Sequence, residues 1–171
     1  MAITKIQSES MNLADTYNFT GDVTGAGGVN TPAFLATKSS NQTISNNSDV
    51  KVVVDTEVYD TDSAYDASNS KFVVPSGKAG KYCFYGQIRL EVNTDDVLFV
   101  SYIYFFKNGS LLSQTRTDFG SHGLRHYTPT NMLVTDLAVG DYVELYGAIN
   151  SSATNSYSAS DTRFGGFKII E

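Results

Sequence analysis

Apolar and polar positions alternate along most of the chain with a period of two, the repeat of strands whose two faces meet different surroundings. The clearest run is Lys81 to Val92, where Tyr82, Phe84, Gly86, Ile88, Leu90 and Val92 share one parity and Cys83, Tyr85, Gln87, Arg89 and Glu91 the other. The first set is expected to face a core. Upstream, Ala33 to Thr37 predicts a first strand, followed by the turn Ser39-Ser40-Asn41-Gln42 and an apolar touch at Ile44. Lys51 to Tyr59 is a β-branched run that ends in an acidic, serine-rich loop from Asp60 to Asn69, and Lys71 to Pro75 predicts a short strand. Val97 to Lys107 is almost wholly apolar or aromatic, and Asn108-Gly109 is a two-residue hairpin signal into Ser110-Leu111-Leu112. Further strands are expected at Tyr127 to Leu137, Tyr142 to Ile149 and Phe164 to Ile170, separated by Ala138-Val139-Gly140-Asp141 and a polar tract from Asn150 to Asp161. The pattern predicts no helix of two turns. Roughly eight to ten strands on this length suit an all-β jelly-roll sandwich.

The first thirty or so residues read differently. Ile3, Ile6, Met11 and Leu13 are sparse among polar positions, and the segment ends in Gly25-Ala26-Gly27-Gly28. Between them Tyr17, Phe19 and Val23 come close to alternating with Asn18, Thr20 and Asp22, broken by Gly21. So short a strand cannot bury its apolar face alone, so it is expected to order against a partner or against its own copies. The chain therefore divides into an N-terminal attachment arm with a glycine-rich hinge, residues 1–31, and a head, residues 32–171. Ile3, Ile6, Leu13, Tyr17, Phe19 and Val23 are the docking positions of the arm.

Composition sharpens this picture. The 171 residues include 11 Tyr and 10 Phe but no Trp, a usage that favours aromatic and β-branched strands. Twelve basic against 18 acidic residues give a net charge of −6 with no basic run, which argues against a nucleic-acid partner. Cys83 is the single cysteine, so no intrachain disulfide can form; it reads as a small buried hydrophobe. No apolar stretch approaches the roughly 18 residues that span a bilayer. Met1 to Glu9 lack the apolar centre of a signal peptide, so the expectation is synthesis in a cytoplasm without membrane insertion.

No catalytic constellation is visible. His122 and His126 are four apart, but Gly123 and Pro129 argue against the helix that would bring them onto one metal. Asp60 with Asp62 and Asp95 with Asp96 are carboxylate pairs that calcium could use, although the simpler reading is solvated acidic turns, so no cofactor is expected. The five Asn-x-Ser/Thr triplets are what a chain this rich in Asn and Ser produces by chance. Two loops have the Tyr/Ser/Asn/Gly mixture that suits recognition: Asp118 to Thr130, with Arg125, His126 and Tyr127, and Asn150 to Asp161, with Tyr157.

Three spaced elements resemble a known family. Tyr65-Asp66, then Phe72-Val73-Val74-Pro75 and Gly80-Lys81-Tyr82-Cys83-Phe84, are similar to the signature of complement C1q-like globular heads. Leu137-Ala138-Val139-Gly140-Asp141-Tyr142-Val143 resembles that family's Leu-x-x-Gly-Asp-x-Val strand entry, and Arg163-Phe164-Gly165-Gly166-Phe167 its last strand. The match runs from about residue 33 to 171. It implies a C1q/tumour-necrosis-factor-like ten-stranded jelly roll that assembles as a homotrimer. Phe72, Tyr82, Phe84, Tyr102, Tyr104, Phe106 and Phe167 would then fill the core and the threefold seam.

No collagen repeat precedes the head. Instead Thr16 to Gly28 resembles the amino-terminal segments of fibre proteins from tailed bacteriophages. Together the two resemblances imply a virion structural protein without enzymatic activity, a tail or head fibre or a capsid decoration. Its arm would dock on another virion protein, and its head would stabilise the particle or bind a host surface glycan or protein. A secreted C1q-like ligand or lectin of a cell is the alternative, and a polysaccharide-degrading tail protein a further one.

Overall fold

A computed structural model describes residues 30–169 of the chain. The arm positions Ile3, Ile6, Leu13, Tyr17, Phe19 and Val23 lie outside the described residues, as does the end of the last expected strand. The described residues hold fifteen strand segments and no helix: β1 (Ala33–Thr37), β2 (Gln42–Ile44), β3 (Val50–Lys51), β4 (Thr56–Asp60), β5 (Tyr65–Asp66), β6 (Lys71–Val73), β7 (Gly80–Gln87), β8 (Leu90–Val92), β9 (Leu98–Lys107), β10 (Ser110–Asp118), β11 (His126–Tyr127), β12 (Thr130–Leu137), β13 (Tyr142–Ser151), β14 (Asn155–Tyr157) and β15 (Arg163–Lys168).

Two antiparallel sheets form the sandwich, ordered β12-β7-β15-β1-β4 and β10-β9-β13-β6-β5, with β3 added beside β13. A smaller sheet, β11-β8-β14-β2, lies beside them. Phe34, Tyr82, Phe84 and Phe164 from the first sheet meet Phe72, Ile103, Phe105 and Leu145 from the second, all fully buried. Phe34 stacks on Tyr65 at 4.8 Å and meets Phe164 edge-on at 5.0 Å; Phe84 meets Phe72 at 5.3 Å. Each such ring pair adds about 1 kcal/mol beyond the area it buries.

The expected motifs have structural reasons. Tyr65 donates its hydroxyl to Val54 O at 2.7 Å, and Asp66 closes a turn by accepting from Ser68 Oγ and Asn69 Nδ2. These bonds hold the Asp66 carboxyl down at about 2. Asn108 and Gly109 both have positive φ, as a tight hairpin between β9 and β10 requires. The Asp141 carboxylate accepts from Lys107 Nζ at 2.8 Å, Asn108 Nδ2 at 2.7 Å and Ala138 N at 2.8 Å. One carboxylate thus ties that hairpin to the turn before β13.

The structure corrects several boundaries: the expected strands Lys51 to Tyr59 and Tyr127 to Leu137 are each two segments in different sheets, β3 with β4 and β11 with β12. Lys81 to Val92 is two strands in two different sheets, because Ile88 N turns to Pro129 O and Arg89 N to Thr162 Oγ1. The inward parity survives the break: Tyr82, Phe84, Ile88 and Leu90 are fully buried. The tract from Asn150 to Asp161 is not a plain loop, since β14 lies within it.

Candidate functional site

The middle of the outward face of the first sheet is apolar. Along one register row Tyr59, Leu35, Gly165, Tyr85 and Met132 lie side by side across five strands, and along the next Ala33, Phe167, Cys83 and Val134 do the same. Met132 is 71% exposed, Val134 57% and Tyr59 47%. Tyr85 lies flat over the backbone at Gly165, where a Cβ would come within 2.3 Å of its ring. Burial pushes the Tyr85 hydroxyl up, helped by its hydrogen bond with Tyr59. At one end of this face Tyr85, Gln87, Thr130, Asn131, Met132 and Arg163 line a depression of about 520 Å³.

The outward face of the second sheet carries an aromatic ladder. Tyr102 stacks on Tyr104 at 5.5 Å, Tyr104 meets Phe106 edge-on at 6.1 Å, and Phe106 packs on Tyr146 at 4.4 Å. Arg116 donates to the Tyr102 hydroxyl at 2.9 Å and pairs with Asp118. Tyr104 is only 6% exposed, and burial, with the hydroxyl's bond to Asp49, raises its pKa. Tyr102, Tyr104 and Phe106 thus cover one another outside the sandwich, while Phe72, Tyr82 and Phe84 fill its interior. Phe167 is half-buried on the first sheet's outer face.

The small sheet brings the two expected recognition loops together. Residues His126, Glu91, Ser156 and Thr43 are consecutive register partners across its four strands. All four side chains look outward, since their neighbours Leu90, Val92, Asn155 and Tyr157 are buried. With Asn41, Asn93, Arg125 and Thr154 they line a depression of about 300 Å³. Glu91 accepts from Arg89 Nε at 2.8 Å and lies 3.6 Å from His126 Nδ1, while Arg125 pairs with Asp95 at 3.1 Å.

Tyr157 is not a recognition residue. Its ring is fully buried, and its one hydroxyl hydrogen lies between the backbone carbonyls of Val50 and Gly147, while burial drives its pKa far up. Tyr127 also turns inward, with its ring edge-on to Phe119 at 4.9 Å. The aspartates have local partners: Asp60 caps Tyr65 N, Asp62 pairs with Lys78 and Asp95 with Arg125. Among the described residues no three His, Cys, Asp or Glu side chains gather as a metal site. Sequence reasoning missed Phe164, the deepest aromatic of β15, and the surface formed by Tyr59, Tyr85, Met132 and Val134. Alternation marked their parity but not which face would stay uncovered.

No family model matches the chain, and no curated protein matches it. Solved structures do. Murine APRIL superposes with a TM-score of 0.60 at 17% identity, over 80% of this chain and 98% of that one. The globular domain of zebrafish complement 1qA gives 0.56 at 15% identity, covering 81% and 97%. The fold is a C1q/TNF-like jelly roll. Eiger TNF from S. frugiperda shares it, with a TM-score of 0.52 at 13% identity over 80% of this chain and 91% of that one. At these identities the C1q/TNF likeness is one of fold.

Proposed function

We propose that this chain is a non-enzymatic, trimeric binding head of a tailed-bacteriophage virion, a fibre or capsid decoration that presents its C1q/TNF-like jelly roll outward. The observation that carries the assembly is the uncovered apolar face of β12-β7-β15-β1-β4, where Tyr59, Leu35, Tyr85, Met132 and Val134 form one patch. Contiguous apolar surface of this kind is rarely left in water, and a threefold association of identical copies covers it without leaving an open edge. Support for the virion role comes from the sequence, through the Thr16 to Gly28 segment and its resemblance to phage fibre arms.

A cellular C1q-like ligand fits the same fold and the same patch. The two readings part at location. Gold-labelled antibody against the head should decorate intact tailed particles purified from the producing lysate, and particles lacking the head should lose stability or adsorb poorly to host cells. Unlabelled particles, with the protein free in the medium, would favour the cellular ligand.

A further inference from the structure

We propose that the depression on the small sheet is a binding site for a neutral oligosaccharide, with Glu91 as the central acceptor and the side-chain amides of Asn41 and Asn93 as donors. This rests on the reading of the chain as a binding head. Four outward side chains, His126, Glu91, Ser156 and Thr43, form a straight polar row across four strands. At the usual strand spacing the row is about 14 Å long, room for a short run of sugar rings.

The polar groups are pre-set. Asn41 Oδ1 accepts from Ala159 N at 2.8 Å and Asn93 Oδ1 from Thr154 N at 3.2 Å. With each oxygen so engaged, the NH2 group is what either amide has to offer a ligand in the depression that both residues line. Glu91 is held through one oxygen by Arg89. A carboxylate fixed in this way can accept from a sugar hydroxyl through its other oxygen. The Ser156 and Thr43 hydroxyls can donate or accept, and Asn155, 2% exposed, anchors the floor through Ser151 and Asn46. The row therefore offers Glu91 as an acceptor beside hydroxyls that can donate or accept, and the Asn41 and Asn93 amides line the same depression, a mixture that suits the hydroxyls of a sugar.

Charge selects against anionic ligands. Arg89 is taken by Glu91 and Asp161, and Arg125 by Asp95, so the guanidinium groups at this surface are already paired. Phosphate, sulfate or carboxylate ligands would face Glu91 with no unpaired guanidinium in return.

The test uses the full chain against an array of neutral, sialylated and sulfated oligosaccharides, followed by calorimetric titration with the best neutral glycan. Saturable binding to a neutral glycan is expected, about tenfold weaker in Glu91→Gln, the loss expected for one hydrogen bond to a charged group. Thr43→Arg, which fills the exposed end of the row without removing an internal bond, should abolish binding while leaving the melting temperature and oligomer mass unchanged. If Glu91→Gln does not fold, Thr43→Arg decides alone. No saturable binding to neutral glycans, binding only to anionic ones, or binding untouched by Thr43→Arg would overturn the proposal. A trimeric head that is needed for adsorption yet binds no neutral glycan would overturn this site and leave the virion reading standing. A head that binds neutral glycan but is absent from particles would do the reverse.

Discussion

Gly165 and Gly166 sit in one strand and serve opposite faces. Tyr85 lies over the first on the outside, and Phe84 over the second on the inside, where a Cβ would come within 2.6 Å of the ring and 2.9 Å of Cys83 O. The ring can turn, but the carbonyl belongs to the neighbouring strand and cannot give without shifting the sheet. Gly166→Ala is therefore expected to cost about 2 kcal/mol or more in chemical denaturation, the usual scale for overpacking. Tyr157→Phe removes the one hydroxyl donor shared by Val50 O and Gly147 O in the interior, and should cost about 1 to 3 kcal/mol while leaving any glycan binding intact. The burial of Tyr157 was hard to read because its inward neighbour in the two-residue repeat is Asn155, a polar residue buried by bonds to Ser151 and Asn46. Asn155 hides the alternation. Phe72, Tyr82 and Phe84, with apolar neighbours in the same parity, were legible as core.

At the scale of elements, the Gly140-Asp141 turn has a clear dependence on acid. Lys107, then Asn108 and the Ala138 amide, hold the Asp141 carboxyl down at about 2 from an ordinary 3.8. A carboxyl lowered on folding contributes stability above its unfolded value, and that contribution is lost as pH falls through the folded one. Asp141→Asn should therefore lower the melting temperature at neutral pH by on the order of 5 °C. The two proteins should converge as pH drops from about 4 toward 2; a difference that persists at pH 2 would mean that the carboxylate charge is not what holds the turn. The Asn108-Gly109 hairpin was legible because its φ values demand those residues. The break between β7 and β8 was not, since parity runs through it unchanged and the groups that redirect the backbone, Pro129 and Thr162, are distant in sequence.

For the whole molecule, the all-β jelly roll followed from alternation and from three motif elements whose side chains prove to be turn closures and core rings. Which sheet face stays uncovered did not follow, because that depends on how strands far apart in sequence line up. Tyr102, Tyr104 and Phe106, which the resemblance puts in the core and the threefold seam, form with Tyr146 a ladder whose rings cover one another. Tyr59, Tyr85, Met132 and Val134 have no such cover within the described residues. Val134→Asp places a charge on the β12 edge of that patch and should cost little in an isolated head, because Val134 is 57% exposed there. In an assembly covered by this face it should force dissociation.

Sedimentation equilibrium of the 171-residue chain beside Val134→Asp tests whether this face closes a trimer. The parent should sediment at three chain masses and Val134→Asp at one, with the same β-sheet circular dichroism; a parent that stays a single monodisperse monomer at micromolar concentration would contradict it.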